Sequence, residues 1–175
     1  AQAAQTGGAG VITNIVIDFR YNGGGLVSTA ELMGDLLGAN RSTSDVFSLT
    51  RFRASKASNN DTKRFAPQPQ SIAPIKVAFI TTNATASASE LVMNSFVPYL
   101  GVNAALIGSN TYGKPVGQIA LDQAACDDRI RVVAFATENS AGQTGYFAGL
   151  ADTMRTTCAE PAAIPRPLGA TTEAS

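Results

Sequence analysis

Two stretches of the chain repeat one pattern of apolar and polar positions. Residues 11–19 (VITNIVIDF) and 77–81 (VAFIT) are continuous apolar, β-branched runs, and each is followed by a segment of small residues. Apolar residues then recur three and four positions apart, in 28–37 and again from 87 onward. Continuous apolar runs are typical of strands buried on both faces, and the second spacing predicts helices. The pattern therefore predicts two strand-loop-helix units that place their strands side by side, an α/β fold with a mostly parallel buried sheet.

The remaining chain predicts further strands around this core. Short apolar runs at 104–108, 119–121 and 129–137 favour strands, and 143–154 favours a glycine-interrupted turn with a short strand. Residues 40–73 are polar, and we expect one strand near 47–55 within an otherwise long surface excursion. We expect one core over 1–158, with this excursion at about 40–73, and an irregular tail over 159–175.

Composition excludes several kinds of chemistry. The 13 basic and 13 acidic residues give a formal charge of zero, which argues against nucleic acid or an anionic membrane as a partner. No apolar run approaches the roughly 18 residues that cross a bilayer. Because the chain has no histidine, it cannot by itself build a Ser/His/Asp triad, a Cys/His dyad or the common His-containing zinc sites. We expect neither a metal nor a cofactor.

A glycine-rich loop follows the first strand. The segment DFRYNGGGL, 18–26, carries Gly23, Gly24 and Gly25 in succession. Glycine allows a positive φ and close backbone approach, so this loop can aim N–H groups into a site, although it can equally be a flexible turn. Neither GxxxxGK[ST] nor GxGxxG is present, which excludes the usual phosphate-binding loops. We expect Asp18 and Arg20 to brace the loop.

Ser87 lies where the second predicted strand turns into a helix. A serine at this point presents its hydroxyl at a helix N-terminus, where free N–H groups favour developing negative charge. Two interpretations follow from this stretch alone, an ordinary helix cap and a nucleophile. Glu90, three residues on, is expected to brace the helix start.

A serine nucleophile needs a base, and lysine can serve where histidine is absent. A useful base needs a pKa of roughly 7 to 8, whereas free lysine has a pKa of about 10.4, so the ammonium form must be disfavoured by burial. Lys114 lies in the loop after the 104–108 strand, where α/β sheets gather their sites. Gln118, four residues on, is a neutral side chain that can orient the amine without restoring its charge.

Three segments together resemble the carboxyl-terminal processing, or tail-specific, serine proteases. These are TASASELV at 85–92, TYGKPVGQ at 111–118 and DFRYNGGGL at 18–26, in the order of that family. The resemblance implies a crotonase-like or ClpP-like α/β domain with additional C-terminal strands. It also implies a serine endopeptidase that cleaves near the C-terminus of unfolded or tagged proteins through an acyl-enzyme.

The resemblance assigns roles to particular residues. It implies Ser87 as nucleophile, Lys114 as base and Gln118 as third residue, with an oxyanion hole of backbone amides from Ala88 and either Gly24 or Gly25. Ser89 lies about 200° around the helix from Ser87, so only one of the two can face the lysine. We therefore expect Ser89 to cap or pack.

Other expectations rest on the implied family. The substrate is expected to be a polypeptide C-terminal segment, and the compartment periplasmic or cell-envelope. In such a compartment the even cysteine count predicts a Cys126–Cys158 disulfide, although two buried thiols remain an alternative. We expect a longer protein with a PDZ module and N-terminal regions, which alone would carry any membrane association, and the isolated chain can be inactive.

Two other functions stay open. A non-catalytic peptide-binding or scaffold domain would keep the fold and lack a working dyad. A hydrolase of non-peptide acyl substrates would use the same dyad on another ester or amide.

Overall fold

The computed structural model describes residues 12–159 of the chain. These residues form two helices and eight strands, in this order: β1 Asn14–Asp18, α1 Val27–Leu37, β2 Val46–Phe52, β3 Asp61–Arg64, β4 Lys76–Thr81, α2 Ala88–Leu100, β5 Ala104–Gly108, β6 Val116–Gln123, β7 Asp128–Glu138 and β8 Thr156–Ala159. Short 3₁₀ turns occupy Ala54–Asn59 and Gly101–Asn103. None of the helices within the described part is long and apolar enough to cross a membrane.

The strands form two four-stranded sheets. One sheet has the order β1-β4-β5-β8, and every pair in it is parallel. The other has the order β3-β2-β7-β6, and its pairs are antiparallel. The predicted α/β fold is confirmed, with both strand-loop-helix units in place. Because parallel strands share one direction, the loops after β1, β4 and β5 emerge at the same edge.

Helix α2 lies at the centre of the molecule. It contacts α1, β2, β5 and β7, so it packs against elements of both sheets. Every residue from Ser89 to Val97 is buried, including Met93 and Asn94 at 0% exposure. A helix covered on all sides needs apolar residues around its full circumference, which explains the sequence LVMNSFV.

Pro98 inside α2 is accommodated by a side chain from β7's end. Proline lacks an N–H, so the carbonyl of Asn94, four residues earlier, loses its helical partner. Asn139 Nδ2 donates to that carbonyl at 3.1 Å and to Asn94 Oδ1 at 3.1 Å. The helix therefore continues to Leu100 without an orphaned buried acceptor.

Residues 40–73 are more ordered than the sequence indicates. The expected strand near 47–55 corresponds to β2, and the rest of the segment adds a strand that was not predicted, since it forms the β2-β3 hairpin and joins the antiparallel sheet. Phe47 and Phe65 are 0% and 1% exposed and pack edge to face, and both rings contact Phe96 of α2. Burial of these isolated apolar side chains offsets the conformational entropy that the polar segment loses when it becomes ordered.

The C-terminal part differs from expectation in one element. Residues 119–121 and 129–137 belong to β6 and β7, as predicted, but the strand expected within 143–154 is absent and turns occupy that segment. The last described strand is β8, which pairs with β5. Val11 of the first predicted strand and the tail beyond 159 lie outside the described residues.

The predicted Cys126–Cys158 disulfide is wrong. Both cysteines are free and exposed. Cys126 lies in the turn between β6 and β7 of the antiparallel sheet, whereas Cys158 lies on β8 at the edge of the parallel sheet. A disulfide needs its two Cα atoms about 4.4–6.8 Å apart, and an even count carries no information about that separation.

Candidate active site

Three loops meet at the carboxyl edge of the parallel sheet. The glycine loop leaves β1, the loop to Ser87 leaves β4, and the loop to Lys114 leaves β5. The first two are tied together, because Thr85 Oγ1 donates to the Phe19 carbonyl at 2.7 Å and Ala86 N–H donates to the Asn22 carbonyl at 3.0 Å. Tyr112 N–H donates to the Thr85 carbonyl at 2.9 Å and attaches the third.

Ser87 occupies a strained turn at the start of α2. Its φ of 57° and ψ of −115° lie in a region that side-chain-bearing residues seldom adopt. Such a conformation costs on the order of 1–3 kcal/mol and persists only where its surroundings impose it. Ser87 is partly exposed there, at the helix N-terminus, where the first N–H groups lack helical acceptors.

Gly24 packs directly against the Ser87–Ala88 junction. Its φ is +99°, and a Cβ added to it would lie 2.7 Å from both Ala88 N and Ser87 Cβ. Only glycine fits this contact, which brings the glycine loop and the helix N-terminus together. The Gly24 N–H itself donates to Asn22 Oδ1 at 3.0 Å.

Ser89 has the packing role expected of it. The residue is 4% exposed, and its hydroxyl donates to the Asn22 carbonyl at 3.2 Å. The same carbonyl accepts from Ala86 N–H, so Asn22 links the glycine loop to the turn before α2.

Glu90 connects the serine to the lysine loop. It is fully buried, and its Oε2 accepts from Ser87 N–H at 2.8 Å and from Lys114 N–H at 2.8 Å. Its Oε1 accepts from Gly113 N–H at 2.7 Å. The S-x-x-E spacing indicates the brace at the helix start. The link to Gly113 and Lys114 has no sequence signal, because it joins residues 23 and 24 positions apart.

Ser87 and Lys114 line one cavity of about 340 Å³. Gln118, Ala88 and the three glycines of the loop line it as well, so every predicted active-site residue borders this space. Lys114 is partly buried and forms no ion pair within the described residues. Gln118 is exposed and lies on β6. The residues that the sequence singles out therefore lie around one cavity, and Lys114 is less buried than a desolvated base requires.

Arg131 is a cavity residue that the sequence does not indicate. It lies on β7 opposite Ala120 and is the other cation among the lining residues, which include no carboxylate. The alternating pattern of residues 129–133 places it on one face of β7, and only the sheet register shows that this face borders Ser87.

Asp18 and Arg20 form the expected brace at the glycine loop. Arg20 Nη2 lies 2.7 Å from Asp18 Oδ2, and Arg20 N–H donates to Asp18 Oδ1 at 2.9 Å. These hydrogen bonds, first from the guanidinium and then from the backbone, hold the pKa of Asp18 below its ordinary value.

Comparisons with known proteins agree with this geometry. A model of peptidase family S41 matches residues 3–154, and no curated protein matches the chain. A Bacteroides fragilis protein described as an S41 protease is 27% identical with a TM-score of 0.74 and covers 85% of the chain. The photosystem II D1 C-terminal processing protease is 19% identical with a TM-score of 0.66 and covers 90%. A lipoprotein from Streptococcus agalactiae is 19% identical with a TM-score of 0.56, covering 76% of this chain and 46% of its own.

The chain spans 38% and 37% of the first two of these proteins. The match of residues 3–154 to the family, and the shared fold of a parallel sheet beside an antiparallel one, confirm the resemblance seen in the three sequence segments. This chain belongs to peptidase family S41.

Proposed function

We propose that this chain is the catalytic part of a serine endopeptidase that cleaves near the C-terminus of unfolded or tagged proteins. Ser87 is the nucleophile, Lys114 the general base and Gln118 the residue that orients the lysine. The observation that carries the proposal is the contact of Gly24 with the Ser87–Ala88 junction, beside a cavity that Ser87 and Lys114 share.

The reaction begins with attack of Ser87 Oγ on the carbonyl carbon of the scissile peptide. The Lys114 amine accepts the hydroxyl proton as the C–O bond forms, and the carbonyl oxygen takes the negative charge. Lys114 then gives that proton to the leaving nitrogen as the C–N bond breaks. Water attacks the resulting ester, gives a proton to Lys114, and the proton returns to Ser87 as the acid product leaves.

Two backbone amides hold the oxyanion in this proposal. Ala88 N–H, at the start of α2, is one donor. Because Gly24 N–H already donates to Asn22, we assign the other to Gly25. The role of Gly24 is then steric, since it alone allows the loop to approach Ala88 this closely.

The S41 membership supports a polypeptide as the substrate. Cleavage near the C-terminus and an envelope or periplasmic location rest on the resemblance to processing proteases, and the free cysteines remove the disulfide that would have supported the location. Fractionation of cells that carry the full-length protein tests the location, and recovery only in the cytosolic fraction would contradict it.

Turnover of casein by the full-length protein tests the dyad. We expect Ser87→Ala and Lys114→Ala each to lower kcat by a factor on the order of 10³ or more, because neither member acts without the other. Gln118→Ala should cause a smaller loss. Lys56→Ala, an exposed lysine in the 3₁₀ turn of Ala54–Asn59, is the matched control and should cleave at the wild-type rate. Casein cleavage at the wild-type rate by Ser87→Ala or Lys114→Ala would contradict the proposal.

A further inference from the structure

Arg131 is a charged residue of the active-site cavity that the proposed chemistry of Ser87 and Lys114 does not use. It lines the same space as these two residues, and no carboxylate is among the lining side chains. Across residues 12–159, its guanidinium forms no ion pair. Arginine stays charged near neutral pH and presents a rigid fork of N–H donors that matches a carboxylate. The cavity therefore offers a group that can bind an anion.

An acidic side chain on the same face of the β6-β7 hairpin, Asp122, already has a partner. Arg129 Nε donates to Asp122 Oδ1 at 2.5 Å, and Arg129 Nη2 donates to Asp122 Oδ2 at 2.9 Å. These hydrogen bonds hold the pKa of Asp122 below its ordinary value, and Arg131 contributes to the lowering only through its charge, as the smallest of the causes. Asp122 is also outside the lining of the cavity. The hydrogen-bond donors of Arg131 thus remain available to a ligand.

A β-bulge sets the face from which Arg131 reaches the cavity. The register between β6 and β7 shifts between Gly117 and Gln118, so that Phe135 lies opposite Gly117 and Val133 lies opposite Gln118. Bulges beside active sites commonly change the direction of a side chain. Because side chains alternate along a strand, Val133 and Arg131 then share one face with Gln118. Gln118 and Arg131 both line the cavity, so this face borders the active site.

We propose that Arg131 anchors a carboxylate of the polypeptide substrate on the leaving side of the scissile bond. It selects substrates whose segment beyond the cut carries an acidic side chain or ends in the free C-terminal carboxylate. The inference rests on the proposed function and names the substrate class of the same site. Arg131 determines specificity in this account and takes no part in proton transfer.

The path of the leaving segment follows from the position of Lys114. This residue gives its proton to the leaving nitrogen in the proposed reaction, so the leaving side of the peptide lies toward it. Lys114 continues through Pro115 into β6, and Thr137 N–H of β7 donates to the Pro115 carbonyl at 2.9 Å. The wall that extends away from Lys114 is therefore formed by β6 and β7. Arg131, opposite Ala120, is the lining residue farthest along this wall.

The rise of β7 sets the distance from the reaction centre to Arg131. Arg131 lies six positions before Thr137 on β7, and a strand rises about 3.4 Å per residue, which gives roughly 20 Å between their Cα atoms. The arginine side chain spans part of this distance, and an extended peptide has the same rise per residue. We therefore expect the carboxylate about two to five residues beyond the scissile bond. This separation keeps the anion away from Lys114, whose charged form a neighbouring carboxylate would favour.

Three internally quenched peptides with the same acyl half test the anchor on the full-length protein. The first carries Glu in the leaving segment and a C-terminal amide, the second carries Gln and a free C-terminal carboxylate, and the third carries Gln and an amide. The third peptide should have a KM about 5-fold or more above that of the acidic peptide that supplies the carboxylate, with kcat within about twofold. The acidic peptide with the lower KM identifies the source of the carboxylate. Equal KM values for all three would contradict the proposal.

Variants of Arg131 link this difference to the residue. Arg131→Gln should remove the KM difference, and Arg131→Glu should reverse it, so that a peptide with Lys in place of the Glu becomes the better substrate. Arg53→Gln removes one positive charge at an exposed arginine outside the cavity and should keep the wild-type difference. Sodium chloride at about 1 M should reduce the wild-type difference to about twofold or less, because the Debye length falls to about 3 Å. A KM difference that survives in Arg131→Gln would overturn the assignment.

A series of peptides in which the carboxylate moves stepwise away from the scissile bond tests the geometry. The lowest KM is expected with the carboxylate about two to five residues beyond the cut. A lowest KM at the first residue would place the anion beside Lys114 and contradict the position assigned to it.

A binding measurement does not depend on turnover. With full-length Ser87→Ala protein, fluorescence anisotropy should show tighter binding of a fluorescein-labelled acidic peptide than of its neutral counterpart, and Arg131→Gln in the same background should abolish the difference. If the wild type cleaves no peptide but this difference depends on Arg131, the anion site stands and the dyad is rejected. If the wild type cleaves peptides and neither KM nor binding depends on Arg131, the dyad stands and the anchor is rejected.

Discussion

At the scale of single residues, Glu90 connects the start of α2 to the loop that carries Lys114. One buried carboxyl group accepts hydrogen bonds from the backbone of Ser87, Gly113 and Lys114. It therefore sets the position of the lysine loop relative to the serine without facing the cavity, from whose lining it is absent. We regard it as a positioning residue.

Glu90→Gln tests this role. The amide NH₂ cannot accept a hydrogen bond, so at least one of three N–H donors loses its buried partner, and we expect the free energy of unfolding to fall by about 1–3 kcal/mol. We also expect kcat to fall with little change in KM, because the serine and lysine lose their alignment. Glu138→Gln, which removes only a partly exposed ion pair with Arg51, should change both quantities little. A wild-type kcat in Glu90→Gln would contradict the positioning role.

Gly24 carries a second prediction at this scale. Gly24→Ala places a methyl group against Ala88 N and Ser87 Cβ and also strains a φ of +99°. Gly145→Ala strains a φ of +77° with no neighbour within 4 Å, so it isolates the backbone cost of about 1–2 kcal/mol. We expect both variants to lower the melting temperature and only Gly24→Ala to lower kcat, by about 100-fold. Comparable activity in the two variants would show that the close approach is not needed.

The residue types at the site were predictable because each carries a local signal. The absence of histidine left lysine as the candidate base, and the helical angle indicated that only one of Ser87 and Ser89 can face it. The Ser89 hydroxyl donates to the Asn22 carbonyl, which agrees with the packing role expected of Ser89. The contributions of Glu90 and Arg131 were not predictable, since they depend on which loops and strands meet.

At the scale of elements, helix α1 holds a carboxyl group in an unfavourable environment. Glu31 is partly buried beside the β3 strand, and burial raises its pKa, while Lys63 opposes the shift and Asp61 and Asp35 add to it. A raised pKa means that the folded state favours the protonated acid. The folded state is therefore relatively stabilised below the ordinary pKa of Glu31, and that stabilisation is lost as the pH rises through the raised value.

Glu31→Gln should accordingly raise the melting temperature at pH 7 and have no such effect near pH 3, where the wild-type carboxyl is protonated in both states. Thermal unfolding followed by circular dichroism across this range provides the measurement. Asp152→Asn, an exposed acid in the turn region, serves as the control and should show no comparable pH-dependent gain. A destabilised Glu31→Gln protein at pH 7 would mean that the attraction to Lys63 outweighs burial.

Elements with a continuous local pattern were predicted, and those held by distant contacts were not. Continuous apolar runs in the sequence predicted β1, β4 and β5 of the parallel sheet, whereas β8 carries no such run and was not predicted. The β2-β3 hairpin lies in a polar segment. It is held in place because Phe47 and Phe65 pack on α2 and because β2 pairs with β7, and both of these elements are distant in sequence. Local propensity does not report such tertiary contacts.

At the scale of the whole molecule, the fold brings the carboxyl edge of the parallel sheet against one face of the antiparallel sheet. The glycine loop, the start of α2 and the Lys114 loop come from the first sheet, and Gln118 and Arg131 come from the second. This arrangement also explains why the predicted disulfide is absent, because Cys126 lies in a turn of the antiparallel sheet's β6-β7 hairpin and Cys158 lies on β8 of the parallel sheet. Pairing of cysteines and membership of a cavity are both properties of the assembled fold.

Labelling of the full-length protein with a biotinylated fluorophosphonate, followed by peptide mapping with mass spectrometry, tests the central claim most directly. The account predicts a single modified residue, Ser87, with no label in Ser87→Ala and labelling slowed by about 100-fold or more in Lys114→Ala. Ser140→Ala, an exposed serine in a turn, should label like wild type. Modification of Ser89 instead, or an undiminished rate in Lys114→Ala, would contradict the Ser87–Lys114 dyad.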